Sequence, residues 1–142
     1  MASQTSAESD VLRICRDLIR IDTSNYGPGT DGPGERQAAE YVVGQLQEVG
    51  LEPELFESEP GRANVVVRVP GADRERGALV VHGHLDVVPA DAADWSHDPF
   101  AADVEDGCVW GRGAVDMKDM DAMILATVRD FARRGVTPPR DL

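Results

Sequence analysis

Apolar residues recur at helical spacing in three stretches of the chain and run together in a fourth. Val11, Leu12, Cys15, Leu18 and Ile19 fall three and four positions apart, which predicts a first helix of about four turns. Thr5 with Glu8 forms a capping-box pair at its start. Ala39, Val42, Val43, Leu46 and Val49 mark the stripe of a second helix over residues 35–49, with Gly50 as a left-handed stop. Met117, Met120, Ile124, Val128 and Phe131 predict the buried face of a third helix, which starts near Asp116 and ends at Gly135. Four glycines and two prolines make residues 26–34 a loop.

Strand patterns lie between the second and third helices. Residues 51–57 read as a short strand that Pro53 confines to an edge or a strand start. Residues 63–69 form a clearer one. The charged turn 70–77 then leads into the apolar run from Ala78 to Val81, and these two strands are predicted to pair as a hairpin. Residues 102–104 and 108–110 predict a small hairpin around Glu105, Asp106 and Gly107. Two prolines after Gly135 read as a connection into a further strand. For 142 residues with 42% hydrophobic content, one domain or part of one is expected.

The formal net charge of −12 argues against a nucleic-acid partner, whose footprint would be basic, and against docking on an anionic membrane. The start shows no basic and apolar regions of a secretory signal, and no apolar stretch approaches the roughly 18 residues of a membrane span. Cys15 and Cys108 are expected to be reduced and buried in a cytoplasmic protein.

The segment from Val81 to Val88 carries the chemistry. Alternate residues of a strand share a face, so His82, His84 and Asp86 would project together. An imidazole whose second nitrogen is held by a carboxylate is the usual arrangement of a metal-ligating His, although such a pair alone is more often structural. The second candidate runs from Gly111 to Met120. It places Asp116 at a helix N-terminus with Asp119 three residues on, where a plain N-cap is the simpler reading. Trp95, Pro99 and Phe100 read as packing over a strand end, and His97 as a solvated loop residue.

Gly83-His84-Leu85-Asp86-Val87-Val88-Pro89, then Trp95 with Pro99-Phe100, Asp106-Gly107, Trp110-Gly111-Arg112-Gly113 and Asp116-Met117-Lys118 together resemble the dizinc metallopeptidase and deacylase family. Its members include succinyl-diaminopimelate desuccinylase, acetylornithine deacetylase, aminoacylase, carnosinase-type dipeptidases and glutamate carboxypeptidases. The resemblance implies a three-layer α/β/α domain of zinc-exopeptidase type with a mixed sheet. It implies that His84 ligates one of two zinc ions (cobalt or manganese being alternatives), that Asp86 orients His84, and that Asp116 bridges both ions. It places His82 at a non-ligating position and makes the Asp116–Met117 bond cis. The substrate it implies is a small peptide or N-acyl amino acid, with hydrolysis of an amide, and the oligomer it suggests is a homodimer through a lid domain.

In the family's order a Glu-Glu pair, further ligands and the lid follow the third helix. Residues 1–142 are therefore expected to be the N-terminal portion of a longer catalytic domain, truncated after that helix and inactive alone. Such a portion is expected to be marginally stable and to associate through an unpaired strand edge. Two other readings stay open: a non-catalytic metal-binding or interaction module that keeps the fold, and a structural fragment with neither property.

Overall fold

Helix α1, Ala7–Ile19, forms where acidic Glu8 and Asp10 sit in the first turn and Arg16 in the last, matching the helix dipole. The computed structural model describes residues 7–142, so the capping pair at Thr5 lies outside the described residues. α1 buries Ile14, Cys15, Leu18 and Ile19, whereas Leu12, expected on that face, is exposed. Helix α2, Arg36–Gln47, contributes Ala38, Ala39 and Leu46 to the interior. It ends as expected at Gly50, which takes a positive φ of 80° and donates its N–H to Gln47 while Leu51 donates to Leu46.

Strands β1, Glu54–Glu59, and β2, Arg62–Val66, pair antiparallel, with Leu55 opposite Val65. The turn between them serves a second purpose. The carbonyl of Gly61 accepts the N–H groups of Glu35 at 2.8 Å and Arg36 at 3.2 Å. The open donors at the start of α2 are thus met by a distant turn rather than by a side chain. Strands β3, Asp103–Glu105, and β4, Cys108–Trp110, form the expected small hairpin. Asp106 and Gly107 take φ of 53° and 76°, as a two-residue primed turn requires.

Helix α3, Lys118–Arg134, corrects the sequence reading of its face. The residues that go inside are Lys118, Ala122, Leu125, Ala126 and Arg129, while Met120 is 44% exposed. The small alanines let α3 approach α1 closely, so the interior joins Ile14, Leu18 and Ile19 to Ala122, Leu125 and Ala126. The apolar period alone could not show this, because it counts methionines as core and alanines as neutral.

Lys118 is fully buried, and its Nζ donates to the carbonyls of Leu18 at 2.9 Å and Ile21 at 2.8 Å. Burial drives its pKa down to about 8 against the opposing pull of Asp22, Asp121 and Cys15. The ammonium closes the C-terminal end of α1 and ties it to the start of α3. Lys118→Met keeps the methylene packing but takes the ammonium from both carbonyls, of which that of Leu18 keeps the N–H of Ile21, and a loss of about 1–2 kcal/mol in urea unfolding is expected.

The predicted pairing of 63–69 with the segment from Ala78 is not formed: β2 pairs with β1, and residues 141–142 stand between residue 69 and residue 79. Residues 78–86 run extended without a ladder. What holds this region is the end of the chain. Val69 and Leu142 exchange N–H···O bonds at 2.8 and 3.0 Å, and Leu79 donates to the carbonyl of Asp141 at 2.9 Å. Asp141 is itself buried and accepts from Arg68 and from the N–H of Gly71. Residues 141–142 thus sit between residue 69 and residue 79, and a groove of about 1040 Å³ opens beyond them. Leu79, Val80 and Val81 are 50%, 79% and 54% exposed along it. An apolar edge with unpaired backbone groups promotes association. Val80→Lys is expected to lower concentration-dependent self-association in sedimentation velocity with little change in melting temperature.

Candidate functional site

The site begins where residues 85–87 meet the loop that leaves α1. Val87 N–H donates to the carbonyl of Thr23 at 3.1 Å, Asn25 N–H donates to the carbonyl of Val87 at 2.9 Å, and Thr23 Oγ1 donates to the carbonyl of Leu85 at 2.6 Å. These bonds hold a short parallel bridge between Ser24 and Val87. Gly83, just upstream, has no room for a side chain, because a Cβ there would collide with Asp121 Oδ1.

Within this frame His84, Asp86 and Asp116 come together. The Nε2 of His84 lies 3.1 Å from Asp116 Oδ1. Its Nδ1 lies 3.0 Å from the carbonyl of Asp86 and 3.3 Å from Asp86 Oδ1. Burial opposes a charge on His84, but the Asp86 carbonyl, the Asp86 carboxylate and Asp116 outweigh it and raise its pKa. The Asp116–Met117 peptide is cis. Asp116 is exposed, as a group that faces a ligand would be. His82, Asp119 and Cys108 do not join this cluster.

Three neighbours escaped the sequence reading. Asn25 Nδ2 donates to Asp86 Oδ2 at 2.9 Å, so the carboxylate is held from both sides. Asn25 follows the first helix with no periodic signal, and only the 61-residue loop closure brings it in. Arg112 lines a cleft of about 280 Å³ together with Asn25, His84, Asp86 and Asp116. Asp121 is the third. Burial, helped by Asp119, pushes its carboxyl up to about 7 against His84 and Lys118, and its Oδ2 is buried without a hydrogen-bond partner.

Two expectations are corrected here. His97 is packed rather than solvated. Antiparallel pairing sets Asp103 opposite Trp110 and Glu105 opposite Cys108, so all four share one hairpin face. His97 stacks on Trp110 at 4.5 Å between ring centroids and reaches Asp103 at 3.6 Å and Glu105 at 3.4 Å. Cys108 is exposed rather than buried, since its face of the hairpin looks outward; Cys15 is buried, and both are free thiols.

A divalent cation fits the donors present in part. The imidazole turns one nitrogen to a carbonyl and a carboxylate and leaves the other facing Asp116, which fixes the ligating nitrogen. Among the described residues, however, no group of three or more His, Cys, Asp or Glu side chains is placed to hold a metal. Catalytic zinc normally takes three protein ligands and a water, so this chain offers an incomplete set.

Comparison with known proteins bears on the fold and the family. The model of Peptidase family M20/M25/M40 matches residues 80–142. The chain is 36% identical over 138 residues to succinyl-diaminopimelate desuccinylase of Methylobacterium radiotolerans, covering 95% of this chain and 33% of that one. It is 32% identical to aminoacylase-1 of Sus scrofa over all of this chain and 34% of the relative. The chain therefore spans about a third of the length of the curated relatives it matches. In fold it superposes on an M20 family metallo-carboxypeptidase from Sulfolobus solfataricus with a TM-score of 0.76 at 19% identity, over 93% of this chain and 29% of that one. Human carnosine dipeptidase 1 gives 0.73 at 24% identity, over 94% of this chain and 30% of its own. The small antiparallel sheets and three helices are thus a portion of that fold. From residue 80 onward the chain carries the sequence pattern of Peptidase family M20/M25/M40, and its likeness to desuccinylases and aminoacylase extends over nearly its whole length.

Proposed function

We propose that this chain forms the N-terminal part of the catalytic domain of a cytoplasmic, metal-dependent hydrolase that cleaves amide bonds in small peptides or N-acyl amino acids. The observation that carries the reading is His84 Nε2 facing Asp116 Oδ1 at 3.1 Å while the opposite imidazole nitrogen is held by Asp86. His84, through Nε2, and Asp116, through its carboxylate, are the residues of this chain that would hold the metal, with His84 as a terminal ligand and Asp116 as the shared one. Asp86 is the positioning residue that keeps His84 in the right tautomer, and Asn25 fixes Asp86 in turn. When bound, such ions lower the pKa of a shared water and polarise the substrate carbonyl. The two free thiols suit a reducing compartment, and no helix among the described residues is long and apolar enough to cross a membrane.

The general base and the remaining ligands are not supplied by the residues described, so this chain alone should not turn over substrate. Calorimetry with zinc tests the reading. Weak binding that Asp116→Asn abolishes, with no hydrolysis of N-acetyl amino acids, is expected. Zinc binding that survives both Asp116→Asn and His84→Ala would overturn it. The two-donor set gives one specific support to the second reading, a metal-binding module without catalysis. Tight one-to-one zinc binding in the nanomolar range, again without hydrolysis, would favour that reading instead.

A further inference from the structure

The cleft beside His84 and Asp116 is acidic, yet one cation lines it. Arg112 enters through Gly111 and Gly113, and its N–H donates to the carbonyl of Pro99 at 2.7 Å. Its guanidinium carbon lies over the Trp95 ring, 5.0 Å from the centroid, a contact that leaves its N–H donors unused. The Nε is buried and has no hydrogen-bond partner. Among the described residues no carboxylate lies within 4.0 Å of it, in a chain where Arg13, Arg20, Arg36, Arg62, Arg68, Arg129, Arg133 and Arg134 are ion-paired. A buried donor without a partner is costly, and a planar guanidinium with no carboxylate beside it is shaped for a two-point bond to one.

We propose that Arg112 is a specificity-determining residue that binds a free carboxylate of the substrate. Trp95 acts with it as the platform that sets its orientation. Among the described residues that line the cleft, Arg112 is the permanent cation, and a neutral amide of the same shape gains nothing from its charge. The inference rests on the hydrolase reading for the identity of the ligand, an acyl amino acid or short peptide. It rests on Arg112 and Trp95 alone for the binding itself.

The test uses the chain without metal and follows the Arg112 Nε–H and Trp95 indole N–H resonances. The probes are succinamate, with its carboxylate on the acyl side, and N-acetylglycine, with its carboxylate on the amino-acid side. Succinamide and N-acetylglycinamide are the neutral controls. Saturable shifts of both resonances with either acid, and about tenfold weaker binding of the matching neutral amide, are expected. The acid that binds more tightly identifies which side of the substrate carries the charge. Arg112→Met should abolish the shift at Trp95, and Arg112→Lys should retain part of it. Equal response to acid and amide, or no response to either acid, overturns the proposal without reference to any variant's folding. Zinc titration in parallel separates the two readings. Zinc bound without carboxylate binding sinks the Arg112 assignment alone; carboxylate bound without zinc supports it and sinks the hydrolase.

Discussion

Asp10→Asn is expected to lower the stability of the chain by about 3–5 kcal/mol, the cost of removing one partner of a buried ion pair. Asp10 is 1% exposed and Arg129 3% exposed. The carboxylate accepts from Arg129 Nε at 3.2 Å, Arg133 Nη1 at 2.7 Å and Arg13 Nη2 at 3.0 Å. Arg129 also donates to the carbonyl of Gln45 and pairs with Glu48 at 3.1 Å. One carboxylate on α1 thus ties α3 to the end of α2. Asparagine keeps the shape but leaves the buried guanidinium with Glu48, which is largely solvated. Against a domain stability of 5–15 kcal/mol this is a large fraction. The measurement is the urea midpoint at neutral pH, and an unchanged midpoint would show that these ion pairs behave as surface pairs do.

The same carboxylate sets an acid limit. Burial raises its pKa, but Arg133, Arg13 and Arg129 outweigh that and bring it from 3.8 down to about 2. A depressed acid contributes stability that is complete above its unfolded value and is lost as pH falls through the folded one. The window therefore lies between about pH 4 and pH 2, with a loss of about 2 kcal/mol. The Asn variant should show a flatter acid limb over that window.

Zinc in about hundredfold excess over its dissociation constant is expected to stabilise the chain by about 2.7 kcal/mol, because a ligand that binds only the folded state shifts the equilibrium by mass action. At roughly 3 °C per kcal/mol for a chain of this size, the melting temperature should rise by about 8 °C. Asp116→Asn should remove the rise, since it takes away one of the two donors that face each other at 3.1 Å. Protons compete for the same imidazole. With the His84 pKa raised by Asp86 and Asp116, the rise should shrink as pH falls through the range where that ring charges. A rise of the same size in Asp116→Asn would place zinc elsewhere on the chain.

Local chemistry made much of this molecule readable in advance. The helix stops at Gly50 and Gly135, the Asp106–Gly107 turn and the approach of Asp86 to His84 each follow from residue type and short spacing, whereas the meeting of His84 with Asp116, 32 positions on, is expected only from the resemblance of the two motifs taken together. The causes of the former act within a few residues or along one motif. Other features depend on where distant segments meet. That β2 pairs with β1 and not also with residues 78–86 depends on which distant segments reach its two edges, and the sequence of β2 names neither neighbour. Met120 lies outside and Ala126 inside because α3 needs small residues where it crosses α1, a demand that exists only once α1 is there. Asn25 owes its role to a carboxylate 61 positions away, Lys118 to carbonyls 100 and 97 positions away, and Arg112 to the Trp95 ring. A polar side chain shows its chemistry in the sequence; its partner is chosen by the packing that removes water from around both.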